Sequence, residues 1–423
     1  MRSFYRKPLG ILLIVMLVCA VVGVQAQQAV ISPEEEMFRP TVMPDRIVLT
    51  WNGDPTVSQA VTWRTDTNVK SAVAQIAVAD PCPAFEGQAQ TVNATTSELV
   101  SKLWTANYHS VTFRDLKPDT LYAYRIGDGS HWSEWLQFKT ASDKPGPFSF
   151  VYLGDVQQGI RSLASRVVRE AFKAASNARF FAFGGDLVTD GTNDVLWGEF
   201  FGAGGWLYGM TPIIPAPGNH EYRPDLTKHW RAQFTLPEDG PEGLEEYAHY
   251  TDFQGLRIIV LNSKEMIAEQ ADWLDKVLSD NPNRWTVAIF HYPVFSVSKG
   301  RKDNESIISA WKPIFDKRRV DLVLTGHDHT YARSGLEGAT VYATSVCGSK
   351  MYELTRKSWM TRAAEGMQFF QVISIDGDKL SYEARTATGS LYDAFELRKQ
   401  KGKANRLVDR IPKGVPERLR ESR

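Results

Sequence analysis

The sequence predicts two folded parts, an all-β sandwich followed by an α/β domain. Three observations carry that prediction. Residues 39–140 hold short alternating runs rich in Val, Thr, Tyr and Trp, separated by turn residues and lacking any convincing amphipathic helix. Residues 141–147, Ala141-Ser142-Asp143-Lys144-Pro145-Gly146-Pro147, read as a polar linker. Across residues 148–397 strand-like and helix-like runs alternate, the pattern of helices packed on a central sheet. A chain of 423 residues is long enough for both parts to bury full cores.

The elements follow in order. Arg2, Arg6 and Lys7 precede the apolar run Leu9–Val24, and Val24-Gln25-Ala26 supplies small residues for a peptidase, so residues 1–26 are expected to be a secretory signal peptide. The mature chain is then exported, periplasmic or extracellular, and no second stretch is apolar and long enough to span a bilayer. Arg46–Trp51, Gln59–Trp63, Ser71–Val78, His109–Phe113 and Leu121–Ile126 are expected strands. The Pro118-Asp119 turn leads into a strand with alternating Tyr, where Tyr122 can bond back across a sheet corner. This stretch resembles a fibronectin type III sandwich, with His109 and His131 assigned to structure. Beyond the linker, Phe148–Leu153, Arg179–Phe183, Thr211–Ala216, Arg284–Phe290, Val320–Leu324 and Ala339–Ser345 are expected strands. Ile160–Ser176, with Leu163, Val167, Ala171 and Phe172 on one face, is an expected helix, as are Thr192–Phe201, Asp225–Phe234, Ala268–Leu278 and Ser306–Phe315. Tyr247–Asp252 pairs with Leu256–Leu261, and Met367–Ile375, Lys379–Thr386 and Ser390–Glu396 complete the sheets, with His249 packed inside. The basic tail, residues 398–423, reads as a solvated end. Cys82 and Cys347, far apart in sequence, read as free thiols. A formal net charge of zero gives no argument for nucleic-acid binding.

The chemistry is concentrated at strand ends. Five runs finish in Gly154-Asp155-Val156-Gln157, Gly185-Asp186-Leu187-Val188-Thr189, Gly218-Asn219-His220-Glu221, Phe290-His291 and Gly326-His327-Asp328-His329. In open α/β sheets ligands bind beyond the carboxyl ends of the strands. The glycines before Asp155, Asp186, Asn219 and His327 let the backbone turn sharply and come close to a ligand. Carboxylate, amide and imidazole together suit Fe, Zn or Mn. They are too many for one closed site, and two divalent or trivalent ions roughly 3.5–4 Å apart would use them all. Such a pair activates water for in-line displacement at phosphorus, so a phosphate ester hydrolase acting through a metal-bound hydroxide is expected.

In order and spacing these tips resemble the motifs of the calcineurin-like metallophosphoesterases, and the preceding sandwich resembles that of the purple acid phosphatases. The resemblance covers residues 39–397, almost the whole mature chain. It implies a doubled sheet with helices outside both layers, a small phosphate ester as substrate, and acid phosphatase-like activity on monoesters. Asp186 would bridge the metals and take part in catalysis; Asp155 and His329 would hold the first, and Asn219, His291 and His327 the second. His220 would stabilise the substrate phosphate or protonate the leaving oxygen, beside Asn219; Tyr331 and Arg333 match the family pattern as further substrate-binding residues. Two positions depart from it. Thr189 stands where the purple enzymes carry an iron-binding Tyr, and Gln157 where many metallophosphoesterases carry a His, so a colourless protein is expected. A phosphodiesterase, or a binding module with a residual metal site, are the alternatives.

Overall fold

The computed structural model describes residues 31–222 and 227–420. The expected signal peptide lies outside the described residues, among which no helix is long and apolar enough to cross a membrane. Of the described residues, 31–37 belong to a unit of their own and include the short helix Pro33–Glu36. Ser32 and Glu35 close a reciprocal capping box on it.

The sandwich has two four-stranded antiparallel sheets. Its strands are β1 (Asp45–Thr50), β2 (Gln59–Asp66), β3 (Val73–Val78), β4 (Gln90–Asn93), β5 (Thr95–Val100), β6 (Thr105–Phe113), β7 (Leu121–Gly127) and β8 (Leu136–Lys139). One sheet has the order β1-β2-β6-β5, the other β4-β3-β7-β8. Trp63, Val61, Val111, Phe113, Tyr124 and Phe138 fill the space between them. The Tyr122 hydroxyl accepts the Lys117 N–H at 2.8 Å, the expected tie across the corner.

The α/β part begins with β9 (Phe148–Leu153), β10 (Phe181–Phe183), β11 (Ile213–Pro215), β12 (His249–Phe253), β13 (Leu256–Val260), β14 (Trp285–Ile289) and β15 (Leu322–Thr325). It continues with β16 (Tyr331–Ser334), β17 (Val341–Thr344), β18 (Met360–Ala364), β19 (Phe369–Asp376), β20 (Lys379–Thr386), β21 (Leu391–Arg398) and β22 (Arg406–Asp409). These make two seven-stranded sheets, β11-β10-β9-β19-β20-β21-β22 and β12-β13-β14-β15-β17-β16-β18. Phe150, Tyr152, Ile214, Val260, Ile289, Leu324 and Ile373 pack between the sheets. Helices Ser165–Ala174 and Asp194–Gly204 cover the outer face of the first. Helices Ile267–Ser279, Glu305–Ala310 and Lys312–Arg318 cover the second. The four layers, helix, sheet, sheet and helix, are those expected.

Several expectations need correction. The single helix Ser306–Phe315 is two, because Pro313 in the first turn of the second helix has no N–H to continue the first. Leu163 is exposed, since the turn Ile160–Ala164 is wound wide, with Ser165 N–H bonded to the Ile160 carbonyl. Tyr331 and Arg333 are not in the cleft. Alternate residues of a strand share a face, and this face of β16 is the core between the sheets. There the Tyr331 hydroxyl and Arg333 Nε both donate to Asp393 Oδ2, at 2.7 and 2.8 Å, and both residues are wholly buried. The tail is not a loose end either. β22 adds to β21, and the Arg362 guanidinium and Glu365 N–H hold the carbonyls of Val415 and Arg418. Cys82 and Cys347 are free, as expected, and buried His249 packs in β12.

The sandwich is tied to the α/β part by a buried ion network. Asp194, first residue of its helix, accepts two bonds from the Arg46 guanidinium at 2.8 Å, one from Arg64 at 2.7 Å and one from the Trp104 indole at 2.7 Å. Burial opposes its charge, but Arg46 and Arg64 outweigh burial and hold the carboxyl below its usual range. Trp51 adds an apolar tie, stacked on Phe253 at 5.2 Å. Replacing Asp194 with Asn leaves the buried Arg46 guanidinium short of its counter-charge and Arg64 with Asp45 alone, and is expected to cost about 3–5 kcal/mol in urea unfolding at neutral pH. A carboxyl with a lowered folded value contributes fully above its unfolded pKa of about 3.9 and loses that contribution as the pH falls through the folded value. The gap between wild type and Asp194→Asn should therefore be unchanged from pH 7 to about 5 and close only below about pH 4.

Candidate metal centre

The five tips meet at one end of the paired sheets. Asp155 follows β9, Asp186 follows β10, Asn219 follows β11, His291 follows β14, and His327 and His329 follow β15. β9, β10 and β11 run parallel, as do β14 and β15, which sets their carboxyl ends side by side. Of the four glycines that precede these residues, Gly185 alone has a positive φ, 87°. The others serve close approach between loops instead of sharp turning. A side chain at Gly218 would strike the backbone and carboxylate of Asp186, and one at Gly326 would strike Asp155 Oδ1. Asp186, His327 and His329 adopt left-handed backbone, at φ 50°, 70° and 47°. Each such residue costs about 1–3 kcal/mol, a strain typical of functional sites.

The imidazoles are oriented by carbonyl groups, which only accept. His291 Nδ1–H donates to Gly184 O at 2.9 Å, His329 Nδ1–H to Lys350 O at 2.9 Å, and His220 Nδ1–H to Thr189 O at 2.6 Å. Each neutral ring then turns a bare Nε2 inward. His291 Nε2 lies 3.1 Å from Asp186 Oδ2, 3.1 Å from Asn219 Oδ1 and 3.2 Å from His327 Nδ1. His329 Nε2 lies 3.2 Å from Asp155 Oδ2, a buried oxygen with no hydrogen bond aligned on it. Two clusters of lone pairs result, Asp186 with His291 and His327, and Asp155 with Asp186 and His329, with Asp186 common to both. Without an ion the first cluster must hold a proton. Burial disfavours charge on His291, but the Asp186 and Asp155 carboxylates overcome it and push the ring up to about 9. Burial and the neighbouring His291 push His327 the other way, to about 2. The orphaned oxygen and the facing lone pairs fit a cation at each cluster.

Two carboxylates that sequence reasoning did not assign hold the loops. Glu221, noted only as a neighbour of the Asn219-His220 pair, is buried and accepts the N–H groups of Asp186, Val188 and Gly218, each at 2.9 Å. Asp328, between the two histidines, is buried and accepts from Ser296 Oγ at 2.8 Å, Val297 N–H at 2.6 Å and the Arg301 guanidinium at 2.9 Å. A carboxylate within two residues of a candidate ligand was the available signal. His220 is the one oriented imidazole with a partly open side chain, 23 % exposed, and its Nε2 lies 3.8 Å from Asp186 Oδ2. His109 and His131 lie in the sandwich, His109 between Thr65 and Thr96.

Comparison with known proteins agrees with this geometry. Residues 44–140 match the purple acid phosphatase N-terminal domain and residues 148–331 the calcineurin-like phosphoesterase family. Purple acid phosphatase 21 of Arabidopsis thaliana is 28% identical over 260 residues, 58% of this chain and 57% of that protein, so the match spans little more than half of that relative. Probable purple acid phosphatase 20 of the same plant is 27% identical over 352 residues, 77% of this chain and 78% of that protein. The fold is that of a purple acid phosphatase from yellow lupin (Lupinus luteus) seeds, with a TM-score of 0.72 at 16% identity over 84% of this chain and 74% of that one. Both matched segments, the shared fold and the clustered Asp, Asn and His residues make this chain a purple acid phosphatase-like member of the calcineurin-like metallophosphoesterase superfamily.

Proposed function

We propose that the chain is an exported two-metal phosphatase acting on phosphate monoesters. The observation that carries this reading is the pair of ligand clusters joined through Asp186. Asp155, Asp186 and His329 would hold the first ion; Asp186, Asn219, His291 and His327 would hold the second. A bound pair of such ions acidifies water and neutralises charge on a phosphoryl group. The protein's own groups supply position and protons. His220, oriented by Thr189 O, presents Nε2 at the open side of Asp186, where the lone pair takes up a proton from solvent and passes it to the leaving oxygen. Glu221 and Asp328 keep the ligand loops from opening. Lys350, above the Tyr352 ring that packs on His329, adds positive charge beside the cluster, whereas the Arg301 charge is matched by Asp328. A monoester dianion gains more from that charge than a diester monoanion, which favours the monoester reading over a phosphodiesterase. Export rests on residues 1–26, whose pattern is that of a signal peptide.

Purified protein is expected to hydrolyse p-nitrophenyl phosphate faster than its bis ester, to lose both activities to a chelator and to regain them with Zn²⁺ or Mn²⁺. Faster cleavage of the bis ester would move the assignment to phosphodiesterase. Its visible spectrum should lack a tyrosinate-to-iron band, because Thr189 occupies the position of the iron-binding Tyr. Asp186→Asn should lower kcat at least a thousandfold with the unfolding midpoint of the sandwich unchanged; wild-type turnover would remove Asp186 from the mechanism. Glu221→Ala should leave circular dichroism unaltered and weaken Mn²⁺ binding about ten- to hundredfold, the usual range for a residue that orients metal ligands.

A further inference from the structure

We propose that Gln157 completes the Asp155–Asp186–His329 cluster through its amide oxygen, and that the resulting donor set selects a divalent ion there. The proposal rests on the two-metal reading above and concerns a residue that this reading leaves without a role. Gln157 is wholly buried. Its backbone is fixed by a bond from its N–H to the Asp186 carbonyl at 3.0 Å. Gly348 lets its carbonyl lie against a neighbouring loop where any side chain would collide. The amide head lies inside the cluster. Nε2 lies 2.7 Å from Asp186 Oδ2 and 3.3 Å from His329 Nε2.

Both neighbours are electron-pair donors, since the His329 proton sits on Nδ1 against Lys350 O. The amide NH₂ thus fills ground where a cation would be held by the same two atoms. The other end of the amide, Oε1, is buried with no hydrogen-bond partner. Amide oxygen and nitrogen are placed by their surroundings, and the terminal torsion of Gln is soft and nearly two-fold. Half a turn brings Oε1 to face Asp186 and His329 with the backbone unmoved, and a carbonyl oxygen is a ligand for the same hard or borderline ions that carboxylates take. It brings no charge. Asp155 and Asp186 are the anionic donors of the two clusters, while the Glu221 carboxylate is taken up by three N–H groups. A trivalent ion in so buried a site would keep more uncompensated charge than a divalent one.

The test is metal binding, read without turnover. Chelator-stripped wild type, Gln157→Ala, Gln157→His and the near-isosteric Gln157→Met are titrated with Mn²⁺, free ion being followed by electron paramagnetic resonance and bound ion by elemental analysis. Wild type should bind two ions per chain. Gln157→Ala and Gln157→Met should bind one ion as wild type does and the other at least tenfold more weakly, and Gln157→His should restore both. Loaded aerobically with Fe²⁺ and Zn²⁺ together, wild type should retain no ferric ion. Two ions bound with wild-type affinity by whichever of the Ala and Met variants folds, or ferric iron retained by wild type, would overturn the proposal. Wild type that binds no ion at all would instead refute the two-metal reading itself.

Discussion

The structure is organised around a demand for positive charge at Asp186. Three imidazole nitrogens, an amide oxygen and two carboxylates are brought together, and the carbonyls behind His291 and His329 turn their lone pairs inward. Buried lone pairs facing one another repel unless a proton or a cation stands between them. The raised value of His291 expresses the same demand, with a proton drawn in against the opposing effect of burial. Strained backbone at Asp186, His327 and His329 is tolerable because the loops are over-determined. Glu221 gathers three N–H groups on one side and Asp328 gathers a hydroxyl, an N–H and a guanidinium on the other.

The sandwich belongs to this arrangement. Arg46 and Arg64 grip Asp194, the first residue of the helix that follows the Asp186 loop. In the next turn the Trp197 indole donates to Gly191 O, and Gly191 N–H donates to His220 O. A chain of buried contacts thus runs from the β1 and β2 arginines to the backbone of His220. The domain that carries none of the candidate ligands helps to place the residue assigned to proton delivery.

What could be read from the sequence was what depends on local order. A metal-ligating side chain directly after an apolar run, with a glycine before it in four of the five cases, marks a strand tip whatever lies elsewhere, and all five tips were found that way. What could not be read depends on the partner of a face. Tyr331 and Arg333 follow the His pair closely, yet strand parity alone does not tell which side of β16 is core; that is decided by Asp393, 62 residues beyond Tyr331. Glu221 sits beside a ligand in sequence, but its work is done on Asp186, 35 residues earlier. The edge strand Arg406–Asp409 is half exposed and charged at both ends, so composition hid a segment that hydrogen bonding places in the sheet.

Charge balance connects the departures from the family pattern to the substrate. Thr189 and Gln157 replace a phenolate and an imidazole, and neither replacement brings a negative charge to the ligand set. Two carboxylates against two divalent ions would leave the centre positive by about the charge of a phosphate monoester dianion, with Lys350 above the Tyr352 ring beside it. A phenolate at Thr189 would offset a third, ferric charge and give the same residue by another route. On the proposal that both ions are divalent, the neutral donors at these positions would keep the overall charge presented to the phosphate without a ferric ion.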